Sequence, residues 1–102
     1  QGSITKGDFM ARNVLITNPN DCDECNLTFT AEGYVSPGNT AVTLELRHGT
    51  ATIATVTADP DTGMATHWTK SFTVTDDGDY VLLAYQTNNT QIFHSVSFNV
   101  IN

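Results

Sequence analysis

Apolar residues recur at every second position along most of this chain, and this alternation constrains the fold more than any other feature. In the clearest case, residues 26–35, the side chains of Leu27, Phe29 and Ala31 alternate with polar neighbours. A period of two is typical of strands with one buried face, whereas amphipathic helices repeat about every 3.6 residues. No segment combines a helix start signal with a helix stop signal. The chain therefore predicts an all-β fold.

Turn residues divide the chain into seven alternating segments. These are residues 8–17, 26–35, 42–47, 51–58, a longer segment after Gly63 that contains Trp68, residues 80–87 and residues 91–101. Imperfect alternation in the first segment predicts a bulge, and residues 59–63 predict a hairpin turn. Seven strands with turn signals about 8 to 12 residues apart are typical of an antiparallel β-sandwich.

The core can be predicted from the inward-facing positions of these strands. The last two strands are expected to share one core face, which holds Tyr80, Leu82, Ala84, Val96, Phe98 and Val100. A one-residue slip would turn every one of these side chains outward, so the pairing predicts a loop with an odd number of residues. We expect a three-residue loop at 88–90, with a five-residue loop as the alternative. The core is predicted to be built on Trp68, Phe72, Leu44, Leu82, Phe29 and Phe98.

Length and charge narrow the range of functions. The chain has 102 residues, which is one domain. Residues 1–3 resemble the remnant of a cleavable tag, which leaves residues 4–102 as a single domain. Four basic residues against eleven acidic ones give a net charge of −7, which argues against binding to nucleic acid or to anionic membrane surfaces. No apolar run approaches the roughly 18 residues of a membrane span, so no direct membrane insertion is expected.

One motif points to a known family. Asp76-Asp77-Gly78-Asp79-Tyr80 matches the D-x-G-x-Y pattern that precedes the sixth strand of immunoglobulin-like domains. Ala58-Asp59, Gly63 and Trp68 precede the motif in the order seen in bacterial-type immunoglobulin-like repeats, which residues 42–100 resemble. The resemblance implies a seven-stranded antiparallel immunoglobulin-like β-sandwich with Greek key connections. It also implies a corner built by Asp76, Gly78 and Tyr80, in which the tyrosine hydroxyl bonds to the backbone. Leu82 occupies the position at which this family carries a disulfide-forming cysteine.

The two cysteines, Cys22 and Cys25, form a C-x-x-C motif in an acidic loop. A redox dithiol needs a lowered thiol pKa, and the neighbouring carboxylates oppose that. A zinc site needs four ligands, and the loop offers two cysteines. We expect a local disulfide in an oxidising compartment, with two free thiols as the open alternative.

Six carboxylates are expected to gather at one end of the sandwich, where the first-to-second and fifth-to-sixth loops meet. They are Asp21, Asp23, Glu24, Asp76, Asp77 and Asp79. Calcium takes about six to eight oxygen ligands, so calcium binding is one hypothesis. The alternative is solvated turns, because Asp favours turns without any metal. No other cofactor is expected.

An apolar patch is predicted on the outside of the sixth strand. Alternation turns Val81, Leu83 and Tyr85 outward, and cross-strand pairing sets Phe93 beside Tyr85. Exposed apolar patches mark interfaces. Partial cover by strand twist, a loop or a neighbouring domain is the alternative interpretation.

These features favour a noncatalytic role. His48, His67 and His94 are scattered, and no G-x-S-x-G motif supports a nucleophile, so no enzyme is expected. We expect an immunoglobulin-like module of a larger extracellular, cell-surface or virion-surface protein, acting as a spacer, adhesion or protein-interaction unit. Its partners would be neighbouring domains, another protein or a surface glycan. The alternative is a carbohydrate-binding module of a secreted enzyme or phage particle; a thiol–disulfide protein ranks third.

Overall fold

Two β-sheets pack against each other in the computed structural model, which describes residues 13–21, 23–36, 38–87 and 89–101. In these ranges the strands are β1 (Asn13–Asn18), β2 (Glu24–Cys25), β3 (Thr28–Ser36), β4 (Val42–His48), β5 (Ala51–Ala58), β6 (Pro60–Asp61), β7 (Met64–Thr73), β8 (Gly78–Gln86) and β9 (Asn89–Val100). The four-stranded sheet has the order β1–β3–β7–β6, and the five-stranded sheet has the order β2–β9–β8–β4–β5.

The all-β prediction is confirmed, but the described chain contains nine strands where the sequence predicts seven. The two additional strands, β2 and β6, have two residues each, which is too short for an alternation to be visible. The β2 strand is parallel to β9, so the five-stranded sheet is not wholly antiparallel. A register shift between Ile16 and Asn18 confirms the predicted bulge in β1. Residues 1–3 and 8–12, the predicted tag remnant and the start of the first strand, lie outside the described residues.

Residues 59–63 connect the two sheets, which corrects the prediction of a hairpin between two long strands. The preceding strand, β5, is an edge of the five-stranded sheet, whereas β7 belongs to the four-stranded sheet. Pro60 begins the short strand β6, and Asp61 lies opposite Met64. The turn itself therefore closes β6 onto β7, with Gly63 at a φ of 84°. Local turn residues indicate where the chain bends, but not which sheet the next strand joins.

The predicted core is confirmed. The six residues on which the sequence predicts it to be built are all buried: Trp68, Phe72, Leu44, Leu82, Phe29 and Phe98. Phe29 stacks on Phe72 within the four-stranded sheet, with ring centroids 5.5 Å apart. It also meets Phe98 of the opposite sheet edge-on at 5.2 Å. This aromatic group therefore joins the two sheets.

The pairing of β8 with β9 follows the predicted register, with Leu82 opposite Val96. The predicted three-residue loop is wrong, because β9 begins at Asn89, opposite Gln86. The register shifts after Tyr85. The extra residues that this register requires are therefore accommodated as an irregularity within β9 and not in the loop.

Trp68 packs beneath a glycine of the neighbouring strand. Its side chain is fully buried on β7, and Gly33 of β3 lies directly opposite. A Cβ atom at Gly33 would stand 2.6 Å from the indole ring and 1.9 Å from the carbonyl oxygen of Leu15 in β1. Real Cβ atoms do not approach other atoms so closely, so the contact between β1, β3 and the indole requires glycine at this position.

We predict that Trp68→Ala lowers the free energy of unfolding by roughly 3–5 kcal/mol, because it removes buried apolar surface and leaves a cavity. Chemical denaturation measures this change. The control is Thr66→Ala on the same strand, where an exposed side chain is shortened and a change within about 0.5 kcal/mol is expected. Equal midpoints for the two variants would contradict the core assignment.

We predict that Gly33→Ala costs about 1–3 kcal/mol of stability, because the added methyl group must displace the indole or the β1 backbone. Thermal unfolding provides the measurement. Gly38→Ala is the matched control, since its Cβ would lie 3.2 Å from its nearest neighbours. The Gly33 variant should be the less stable of the two, and the reverse order would refute the close packing of β1, β3 and Trp68.

Candidate functional site

The predicted patch lies on the outer face of the five-stranded sheet. We call it the outer patch, and it consists of Val81, Leu83, Tyr85 and Phe93. Leu82 and Ala84 of β8 are fully buried, so alternation turns the residues between and beside them outward. Phe93 lies directly opposite Tyr85 on β9.

The members of the outer patch differ in exposure. The Phe93 side chain is 58% exposed, whereas the three residues of β8 are half-buried. The reason is that β8 is an inner strand, with β4 on one side and β9 on the other. Side chains of those neighbouring strands cover part of Val81, Leu83 and Tyr85. The most accessible apolar group of the patch is therefore the Phe93 ring.

Glu45 of β4 fixes the position of Tyr85. The tyrosine hydroxyl donates a hydrogen bond to Glu45 Oε2 at 2.9 Å, and Arg47 donates one to Glu45 Oε1, also at 2.9 Å. Arg47 and then Tyr85 hold the pKa of Glu45 below its ordinary value, while the Glu45 carboxylate raises the pKa of Tyr85. The ring beside Phe93 is consequently held by an ionised carboxylate, a contact that the sequence analysis missed because it joins residues 40 positions apart.

The corner residues come together as the D-x-G-x-Y resemblance implies. The Tyr80 hydroxyl donates a 2.6 Å hydrogen bond to the carbonyl oxygen of Asp76. Gly78 has a φ of 124°, and a Cβ there would lie 3.0 Å from His48 Nε2. The His48 ring stacks on Tyr80 with centroids 4.3 Å apart. Burial, and then the charges of Asp76 and Asp77, raise the pKa of Tyr80, so its hydroxyl remains a donor.

Three of the six predicted calcium ligands accept hydrogen bonds from the protein itself. Asp21 accepts from the Ser97 amide at 2.9 Å, Asp23 from the Asn20 amide at 2.8 Å, and Asp79 from the Asn99 side chain at 3.0 Å.

The other three candidate ligands are Glu24, in the short strand β2, and Asp76 and Asp77, in the exposed turn before β8. Within the described ranges, no three His, Cys, Asp or Glu side chains are arranged to hold a metal ion. The calcium hypothesis gains no support from this geometry and stays a prediction.

Cys25 is half-buried on β2, and within the described ranges its sulfur is bonded to no other cysteine. Burial, and then the charge of Asp23, raise its pKa above the ordinary value, which disfavours the reactive thiolate. Cys22 lies outside the described residues, so the Cys22–Cys25 disulfide stays a prediction.

Each histidine has a different structural partner. His94 accepts a hydrogen bond at Nδ1 from the Ile16 amide at 2.9 Å, and thereby ties β1 to β9 across the two sheets. His67, on the outer face of the four-stranded sheet, lies between Asp61 and Glu32. Sequence reasoning missed this group because its three members come from β3, β6 and β7.

Comparisons with protein families and with curated proteins find no match. Solved structures do resemble the chain. An engineered protein matches 89% of it with a TM-score of 0.69 and 21% identity. The endo-β-1,4-mannanase of Thermotoga petrophila matches 96% with a TM-score of 0.69 and 15% identity. CopC of Methylosinus trichosporium OB3b matches 87% with a TM-score of 0.64 and 11% identity.

At this level of identity, the likeness shows a shared β-sandwich fold. The chain spans about a fifth of the first two proteins, 20% and 21% of their lengths, but 92% of CopC. In the described part of the chain, no helix is long and apolar enough to cross a membrane.

We predict that Tyr80→Phe lowers stability by about 0.5–1.5 kcal/mol, because it removes the hydrogen bond to Asp76 and leaves the ring in place. Tyr34→Phe is the control, since the Tyr34 side chain is 42% exposed. The denaturation midpoint of Tyr80→Phe should lie below that of the parent, whereas the midpoint of Tyr34→Phe should stay close to it. A Tyr80 variant as stable as the control would show that the hydroxyl contributes nothing to the corner.

Proposed function

We propose that this chain is a noncatalytic immunoglobulin-like module of a larger extracellular, cell-surface or virion-surface protein. The D-x-G-x-Y corner and the packing of the two sheets support the immunoglobulin-like assignment. The match to about a fifth of two longer proteins supports a role as one domain among several.

The path of the chain suits a module in a tandem array. Asn13 pairs with Ser36 at one end of the sandwich, whereas Val100 pairs with Gly78 at the other end. Strand β1 therefore enters at one pole, and β9 leaves at the opposite pole. In a multidomain protein this arrangement would place the connections to the preceding and following domains at opposite poles.

The observation that carries the proposal is the outer patch, with Phe93 largely exposed beside a Tyr85 ring that Glu45 holds in place. Apolar surface of this kind is stabilised when a partner covers it. Aromatic side chains with fixed rings lose little conformational freedom on binding, which favours an interface. We propose that a neighbouring module of the same polypeptide covers the patch.

The double variant Tyr85→Ser, Phe93→Ser tests this proposal. It should weaken docking to the neighbouring module or self-association, while circular dichroism and amide spectra keep the pattern of a folded sandwich. Sedimentation velocity and titration calorimetry measure the association. Tyr34→Ser is the matched control, because this exposed tyrosine lies on the other sheet. A double variant that associates as strongly as the parent and the control would refute the role of the outer patch.

A carbohydrate-binding module is the second candidate, and the outer patch favours it because its exposed Phe93 lies beside the half-buried Tyr85. The mannanase among the structural neighbours is compatible with such a module. Tyr34 lies on β3 in the opposite sheet, so a sugar platform would consist of Tyr85 and Phe93 without it. Glycan-array binding that disappears with Phe93→Ser, without any effect on protein association, would favour this candidate over the first.

A further inference from the structure

His67 lies between two carboxylates that come from different strands. Its Nδ1 atom contacts Asp61 Oδ2 of β6, and its Nε2 atom lies 3.1 Å from Glu32 Oε1 of β3. The Tyr34 ring packs edge-on against the imidazole at 5.2 Å, and Thr69 donates a 3.4 Å hydrogen bond to the other oxygen of Asp61. The side chain of His67 itself is only 14% exposed.

The contacts of the His67 ring favour its protonated form. Ionised carboxylates only accept hydrogen bonds, and a neutral imidazole has one donor nitrogen and one acceptor nitrogen. Both ring nitrogens of His67 face carboxylate oxygens, so both contacts are satisfied together only by the imidazolium form. A neutral ring would turn a nitrogen lone pair toward one of the two carboxylates.

The contact with Asp61 acts on the segment that crosses between the two sheets. Residues 59–63 carry the chain from one sheet to the other, and β6 pairs with β7 only through Pro60 opposite Trp68 and Asp61 opposite Met64 in the described structure. Pro60 has no amide hydrogen to donate. The ion pair between Asp61 and His67 therefore adds a side-chain attachment of this segment to the four-stranded sheet.

We propose that His67 is a proton-controlled clasp, which fastens residues 59–63 to the four-stranded sheet when it is protonated and releases them when it is neutral. The titratable groups that face the ring are Glu32 and Tyr34 from β3 and Asp61 from β6. Lys70 belongs to β7, as His67 does, but it lies on the core-facing side of that strand and pairs with the buried Ala31 of β3.

The sign of the pH dependence follows from the two carboxylates. The hydrogen bond to Asp61, reinforced by Glu32, holds the pKa of His67 above its ordinary value of 6.5, and this outweighs the opposing effect of burial. A raised pKa in the closed state means that the clasp is fully formed below the ordinary value. Its contribution is lost as the pH rises through the pKa of the closed state.

Nuclear magnetic resonance on the labelled 102-residue chain tests the clasp. The ring nitrogens of His67 should both carry protons below its titration midpoint, and this midpoint should exceed that of the unfolded chain. Amide exchange in residues 59–63 should accelerate as the pH rises through this midpoint. The rates are divided by those of the Gly49–Thr50 turn, which removes the general increase caused by base catalysis. By linkage, the largest acceleration equals the ratio of the proton affinities of the closed and open states.

His67→Gln isolates the proton, because glutamine cannot titrate. Its normalised exchange should be fast and independent of pH across the same range. His48→Gln is the matched control, since the His48 ring stacks on Tyr80, and it should keep the pH dependence of the parent. A His67 titration midpoint no higher than that of the unfolded chain, or normalised exchange that does not change through this titration, would overturn the proposal, and both readings come from the parent chain even where a variant fails to fold. Neither result bears on the outer patch, which lies on the other sheet.

Discussion

The packing of Trp68 beneath Gly33 is the contact on which the rest of the sandwich depends. The indole fills the space that a side chain at position 33 would need, and the β1 backbone closes over the same glycine through Leu15. The indole nitrogen has no hydrogen-bond partner among the described residues, so Trp68 acts through its volume and apolar surface. Three strands of one sheet are thereby positioned around one side chain.

The outer patch is a consequence of the core on the other side of the same strand. Leu82 and Ala84 must face inward to pack against the opposite sheet, and the two-residue period then exposes Leu83 and Tyr85. A shift of one residue would bury the patch and expose the core together. A change in the register of β8 would therefore remove the proposed interface and unfold the domain at the same time.

Charged residues are few, at 15% of the chain, and several of them fix other side chains in place. Glu45 holds Tyr85 on one sheet, and Asp61 with Glu32 holds His67 on the other. Exposed ion pairs contribute little stability individually, typically below about 1 kcal/mol. Their effect here is positional: they orient an aromatic ring on one outer face and attach a crossing segment on the other.

The sequence by itself determined the seven longer strands, the core face of each and the outward direction of the patch, because alternation and turn residues act over a few positions. It could not reveal β2 and β6, whose two residues each carry no period. The tertiary structure alone decided that residues 59–63 cross between sheets, that Glu45 meets Tyr85, and that His67 joins Asp61 and Glu32. These contacts depend on how strands that are distant in sequence are paired and packed, and no local pattern encodes that choice.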